Sequence, residues 1–186
     1  GVGDATRGPG QQHGKNIQDN KVIVFDVDNM TQILKEWNHE RRVVSVDIYD
    51  SENERDENGD ENGGKTAGTV FIAACNRHKQ CRVHQFKMRS RTLMSDEFDD
   101  NVEKFLFESD ENFNSARFSP WKPSGVDYLV TGDQSMKVIV RSMKDGEIFR
   151  EWTHDAWVNC VDFSPGMGTF VAAGDDTNNI VLYDVA

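Results

Sequence analysis

The chain contains a close internal repeat, and this feature restricts the folds open to it more than any other. Residues 33–47 and 148–162 are identical at seven of fifteen positions without a gap. Similarity of this density at a fixed spacing is the sequence signature of a repeat architecture, in which one structural unit recurs along the chain.

A shorter unit of about 40 residues lies within this repeat. Each copy holds short runs of β-branched and aromatic residues, separated by the turn formers Pro, Gly, Asn and Asp. The alignment without gaps predicts four strands per unit and an all-β chain. The outer strands fall near Ile33, Phe105 and Ile148, and the strands that follow them near Val43, Phe113 and Val158. The third set falls near Phe71, Tyr128 and Thr169, and the fourth near Cys81, Val138 and Ile180.

The order "TH…WVNCVDFSP…VAAGDD…IVLYDV" resembles a WD repeat, the unit of one class of β-propeller. That resemblance implies, in each blade, a His before the first strand, an Asp in a tight turn and a Trp on the third strand, and it covers nearly the whole chain from about residue 16. The positions that correspond are His39, His154, Trp37, Trp152 and Asp176. The motif is divergent, because Ser109 replaces the His in the middle copy. The position of the family's third-strand Trp holds Phe25, His84, Arg141 and Tyr183. An ordinary β-sandwich is the alternative.

The number of strands predicts only part of a ring. Residues 17–185 contain two full blades, two strands of a blade before them and three strands of a blade after them, whereas propellers close with about four to eight blades. We therefore expect residues 1–186 to be a fragment of a single propeller. Residues 1–20 are expected to form a Gly-rich loop, and residues 51–66 a disordered acidic insertion.

The net charge of −11 arises from two acidic segments, 51–65 and 96–111, and the other residues balance. This distribution offers no general basic surface and argues against a nucleic-acid partner. Three cysteines argue against a disulfide framework and for a reducing compartment. No apolar run approaches 18 residues, so membrane association is expected only through a segment outside this chain.

Several patterns imitate chemical sites. Cys75, His78, Cys81 and His84 have metal-like spacing, but 81 and 84 face opposite sides of a strand, which favours a structural role. Residues 56–64 imitate a calcium loop, but position 61, where the pattern requires Gly, is Glu61, and position 67, where it requires a bidentate Glu, is Ala67. The basic segment 77–91 is interpreted as neutralising the acidic stretch, with a docking patch for an acidic partner as the alternative. No residue set supports covalent catalysis.

The Gly-rich start, the segment "NIQDN" (16–20) and the second-blade segment 71–87 resemble one WD-repeat family. This is the prolactin regulatory element-binding protein family, the exchange factors for the small GTPase that initiates COPII coat assembly. The resemblance implies guanine nucleotide exchange on the cytosolic face of the endoplasmic reticulum, with a small GTPase as partner. By the same resemblance, Asn16, Ile17, Asn20 and Glu40 contact the GTPase, and potassium binds at Gly14, Asn16 and Asn20. Here the glycine run is interrupted by Val2 and the loop is longer.

A second function stays open, because a propeller fold does not specify an activity. The alternative is a non-catalytic, cytoplasmic WD-repeat scaffold that binds other proteins within a larger complex.

Overall fold

The computed structural model describes residues 20–25, 33–51, 68–88, 98–120, 126–166 and 168–185. These residues form β-strands and contain no helix, so none that could cross a membrane. The strands are β1 (Lys21–Phe25), β2 (Ile33–Asn38), β3 (Val43–Ser51), β4 (Gly68–Asn76), β5 (Gln80–Met88), β6 (Phe98–Glu108), β7 (Phe113–Phe118), β8 (Tyr128–Asp133), β9 (Lys137–Ser142), β10 (Ile148–Thr153), β11 (Val158–Phe163), β12 (Phe170–Asp175) and β13 (Ile180–Asp184).

The strands form four antiparallel sheets in chain order. β3 to β6 make one four-stranded blade and β7 to β10 make another. β1 pairs with β2 ahead of them, and β11, β12 and β13 form a three-stranded sheet after them. The prediction of an all-β partial propeller, with two full blades and two partial blades, is confirmed.

Burial within a blade follows the position of each strand. β8, in the interior of its sheet, is buried at all six positions, YLVTGD. The outer strand β10, IFREWT, is mostly exposed. A strand covered on both faces has to be apolar or small throughout, whereas an edge strand tolerates charge, which blunts unwanted pairing.

Three apolar clusters lie between successive sheets. The first packs Val22 of β1 on Ile72 and Phe86 of the next blade. The second joins the two complete blades through residues such as Phe113 and Leu129, and the third joins the second complete blade to the last sheet. The core is therefore divided into layers between blades, as expected where each sheet buries both faces against its neighbours.

The innermost strands are joined by a repeated hydrogen bond. Ser45 Oγ accepts from the backbone N–H of Ala116 at 3.2 Å, and Ser115 Oγ accepts from that of Val161 at 3.3 Å. The close approach of the last sheet also requires Gly132, where an added Cβ would lie 2.5 Å from a Val158 methyl carbon. The inner strands β3, β7 and β11 thus follow one another at equal register.

Two predicted segments fall largely outside the described residues. Only Asn20 of the Gly-rich loop and Ser51 of the acidic insertion are described. The acidic stretch 96–111, by contrast, is largely the outer strand β6.

Candidate functional site

In the described part of the chain, six short connections between consecutive strands lie along the same edge of the sheets. We call this edge the turn rim. It comprises Asn20, just before β1, and residues 39–42, 77–79, 109–112, 134–136, 154–157 and 176–179. Loops on one rim of a rigid scaffold are the usual place for binding residues.

Each blade repeats the same backbone contact at this rim. The residue after the outer strand donates its N–H to the carbonyl of the residue before the neighbouring strand. The three pairs are His39 to Asn20 at 2.6 Å, Ser109 to Lys79 at 3.0 Å, and His154 to Met136 at 2.7 Å. The contact holds residue 20, the last of the Gly-rich segment, against the loop that contains Glu40.

The last of these junctions contains a buried contact between a histidine and a carboxylate. His154 Nδ1 lies 3.1 Å from Asp175 Oδ2, with side-chain exposures of 2% and 1%. The other oxygen of Asp175 accepts from the N–H and hydroxyl of Thr177 and from the N–H of Asn179. Burial opposes ionisation of Asp175, but the hydrogen bonds from Asn179, Thr177 and His154 outweigh it and lower the pKa to about 2.

The turn carboxylate of this blade is therefore Asp175, and the assignment to Asp176 needs correction. Asp176 is exposed and accepts a hydrogen bond from Asn159 Nδ2 at 2.5 Å instead. Asp175 ends β12, so its side chain folds back over the N–H groups of the turn, a position that the next residue does not share. Residues 128–142 align with residues 170–184 without a gap, and this alignment places Asp133 on Asp175 and so distinguishes the two candidates.

The middle junction replaces the histidine but keeps the carboxylate. Ser109 Oγ donates to Asp133 Oδ2 at 2.6 Å. Asp133 Oδ1 accepts from the N–H and hydroxyl of Ser135 and from the N–H of Lys137. Asp133 is 1% exposed, and both oxygens of this buried carboxylate accept hydrogen bonds.

The first junction keeps the histidine but has Asn76 in place of the carboxylate. His39 is 6% exposed and Asn76 is 0% exposed. Asn76 Oδ1 accepts from the N–H of His78 at 2.9 Å. Within the described residues, neither ring nitrogen of His39 nor the Asn76 amide nitrogen has a hydrogen-bond partner. Burial, and then the electrostatic interactions with Arg82 and His84, lower the pKa of His39 to about 4, so this ring is neutral at pH 7.

Trp37 and Trp152 hold equivalent positions, as the alignment of the two units predicts. Trp37 pairs with Val22 and stacks on His84, with ring centroids 4.8 Å apart. Trp152 pairs with Val138 and stacks on Tyr183 at 4.6 Å. In both cases the partner ring stands where the WD-repeat family has its Trp, so an aromatic stack links neighbouring blades.

Two of the residues assigned to GTPase contact are described, and the structure brings them together. Glu40 carries a side chain that is 65% exposed and pairs with His78 Nε2 at 3.3 Å. The backbone carbonyl of Asn20 accepts a hydrogen bond from His39 in the same loop. Asn16, Ile17 and Gly14 lie outside the described residues.

The predicted potassium site is represented only by Asn20, whose carbonyl already accepts from His39. Among the residues that the structure describes, no group of three or more His, Cys, Asp or Glu could hold a metal ion. The described residues thus add no ligand geometry for potassium.

The metal-like spacing of 75, 78, 81 and 84 is dispersed by the fold. Cys75 and Cys81 are buried and lie opposite each other on neighbouring strands. The pKa of the Cys75 thiol is raised mainly by burial and, to a smaller extent, by the neighbouring Cys81 thiol. His78 is exposed at the turn rim and His84 stacks on Trp37. The two cysteines therefore share one buried site, whereas His78 and His84 lie in two other environments.

No protein-family model matches the chain, and no curated protein matches it. A chain in the structure "Chaetomium thermophilum Polycomb Repressive Complex 2 bound to GSK126" is similar in fold, with a TM-score of 0.57 and 15% identity. The match covers 90% of this chain and 32% of that one. A chain in "Structure of ctPRC2 in complex with H3K27me3 and H3K27M" has a TM-score of 0.56 and 16% identity, over 77% of this chain and 27% of that one.

The chain therefore spans about a third or less of these structural neighbours. At such identities the likeness shows the fold alone. The four sheets, their order along the chain and this likeness define a partial β-propeller.

Proposed function

We propose that this chain is the protein-binding part of a propeller that acts as a guanine nucleotide exchange factor. Its partner is the small GTPase that initiates COPII coat assembly, met at the cytosolic face of the endoplasmic reticulum. The observation that supports the proposal is the contact between His39 and Asn20, which places the end of the Gly-rich segment beside exposed Glu40. The two described residues given by the family resemblance, Asn20 and Glu40, therefore lie on the same rim.

The proposed mechanism involves binding and no bond-making step. A small GTPase holds its nucleotide through backbone amides that cradle the phosphates and through a magnesium ion. A partner that binds the nucleotide-free form most tightly weakens nucleotide affinity by the same coupling free energy. Ile17 would present an apolar side chain to the GTPase, and Glu40 a carboxylate that has to leave His78 to reach a cationic or amide group.

The test is the rate of release of a fluorescent guanine nucleotide from this GTPase, measured with the full-length protein. We expect Ile17→Ala to slow release by about tenfold or more, because truncating a hot-spot side chain at the centre of an interface costs about 2 kcal/mol or more of binding. Glu40→Ala should slow it by a smaller factor. Glu147→Ala is the matched control, since Glu147 is exposed at the opposite rim. Equal rates for all four proteins would overturn the proposal.

The non-catalytic scaffold is the second candidate, and it is supported by the fold and by the exposed turn rim. It predicts no acceleration of nucleotide release by the unaltered protein, together with stable binding of some other protein. A melting temperature measured on each variant separates loss of exchange from loss of folding.

A further inference from the structure

The turn rim carries an unusual concentration of positive charge at its first complete blade. We call Arg41, Arg42, Arg77 and Lys79 the basic corner; all four are exposed. The loops that hold them are joined, because the backbone N–H of Arg77 donates to the carbonyl of Arg42 at 3.0 Å. The four cationic side chains therefore extend from two loops, 39–42 and 77–79, whose backbones are in contact.

Most of this charge is not balanced locally. Within the described part of the chain, the guanidinium groups of Arg41, Arg42 and Arg77 have no hydrogen-bond or ion-pair partner. Lys79 donates to the backbone carbonyl of Asp110, which is not an anion. Glu40, the acid in the same loop, pairs with His78. Like charges held together without partners repel one another, so the arrangement favours an anionic ligand.

The fold itself does not require these charges. The backbone contact from Arg77 to Arg42 recurs as Gln134 to Asn112 at 2.9 Å in the next blade, and as Asp176 to Trp157 at 3.1 Å in the last sheet. Neutral and acidic residues thus make the same turn with the same hydrogen bond. The positive charge of the basic corner is separate from the structural role of these positions.

We infer that the basic corner binds a short acidic protein segment. Arginine is suited to carboxylates, because its planar guanidinium group donates two parallel hydrogen bonds to one carboxylate. A long polyanion fits less well, because the rim continues into Asp110 and Glu111 and then into Asp155 and Asp176, whose charge would repel it. Nucleic acid therefore meets only a short stretch of favourable potential.

This inference goes beyond nucleotide exchange and does not depend on it. The probe is a fluorescent peptide of about ten glutamates, short enough for one cluster of guanidinium groups. Binding to the full-length protein is followed by anisotropy at about 0.05 M and about 0.3 M salt, where screening differs strongly. We expect saturable binding that weakens at the higher salt concentration.

The test variant takes its residues from the next blade, which make the same turn. Arg41→Glu, Arg42→Asn and Arg77→Gln together introduce the residues found at 111, 112 and 134. A second triple variant, Lys137→Gln, Lys144→Glu and Arg150→Gln, changes the net charge equally but leaves the basic corner intact. We expect the first to lose at least about tenfold in affinity, as for loss of bidentate charged contacts, and the second to lose little.

Equal loss in both triple variants would overturn the inference, because it would show an effect of net charge alone. Unchanged binding by the first variant, with its melting temperature preserved, would also overturn it. Tighter binding of an oligothymidylate than of the peptide at the same salt concentration would assign the corner to nucleic acid instead.

Discussion

The first and last blade junctions use the same histidine in opposite ways. His154 meets a carboxylate at 3.1 Å that is itself held by the turn, whereas His39 lies beside a blade whose turn residue is the amide Asn76. Both rings are buried, and both follow an outer strand whose second-to-last residue is a stacked Trp. The two junctions therefore have the same topology and differ in chemistry. The turn side chain is a carboxylate in the last junction and an amide in the first, and only the carboxylate makes a hydrogen bond with the histidine.

This comparison also distinguishes the contacts that are the same in both junctions from those that vary. The backbone hydrogen bonds and the aromatic stack persist in both junctions. The polar network varies, which is expected because a buried network stabilises only when every member is satisfied. A junction with an apolar or amide-based interior is then tolerated where packing is adequate.

The largest effect is expected where the network is complete and deeply buried. Asp133→Ala removes the acceptor of two hydroxyls and two backbone N–H groups, and should lower the free energy of unfolding by about 3 kcal/mol or more. Chemical denaturation at pH 7 measures it. Asn76→Ala, which removes the acceptor of one backbone N–H group, is the matched variant and should cost less. A smaller loss for Asp133→Ala than for Asn76→Ala would contradict the ranking of the junctions.

The second effect would convert the first junction into the last. Asn76→Asp supplies His39 with a carboxylate, and we expect it to raise the pKa of His39 and to stabilise the protein by about 1 kcal/mol near neutral pH. The same substitution in a His39→Leu background isolates the pair, since a double-mutant cycle removes the effects of Asn76→Asp on its other neighbours. Destabilisation of equal size in both backgrounds would show that no pair forms.

Much of the architecture was predictable because it depends on periodicity. Strand number, grouping and the incomplete first and last blades follow from runs such as those at Val138 and Ile180, which repeat with the turn formers between them. Side-chain partners depend on atoms from distant positions and were harder to predict. Asp175 and Asp176 are adjacent and chemically alike, and the unpaired state of His39 depends on Asn76, which is far from it in the sequence.

The third effect is a difference in pH dependence between the junctions. The pKa of His39 is about 4 in the folded chain and 6.5 when exposed, so the unfolded chain takes up the proton first and stability falls as pH drops from 6.5 to 4. Asp175, with a folded pKa of about 2 against 3.8, stabilises above 3.8 and loses this contribution as pH falls toward 2. His39→Leu should flatten the stability profile between pH 6.5 and 4 only. An unchanged slope in that window would exclude His39 as its source.

The smallest effect is expected from a surface pair that both junctions share. Lys21 contacts Glu36 at 3.3 Å and Lys137 contacts Glu151 at 3.0 Å, at equivalent positions of the two units. Exposed pairs of this kind contribute less than about 1 kcal/mol, so Lys21→Gln and Lys137→Gln should each change the unfolding free energy slightly and by similar amounts. Thermal denaturation at low and high salt would show both effects shrinking together; a large difference between them would mean that the two surroundings are not equivalent.

The left-handed residue of each turn has a consequence for how these positions can change over evolutionary time. Lys79, Met136 and Asn178 have φ values of 61°, 65° and 65°. Asn adopts this conformation readily, whereas Lys and Met are strained there and a mutation to Asn or Gly would relieve the strain. Selection for stability alone would therefore replace the lysine at position 79. Whether natural sequence variants keep a lysine there thus shows whether its charge is under selection.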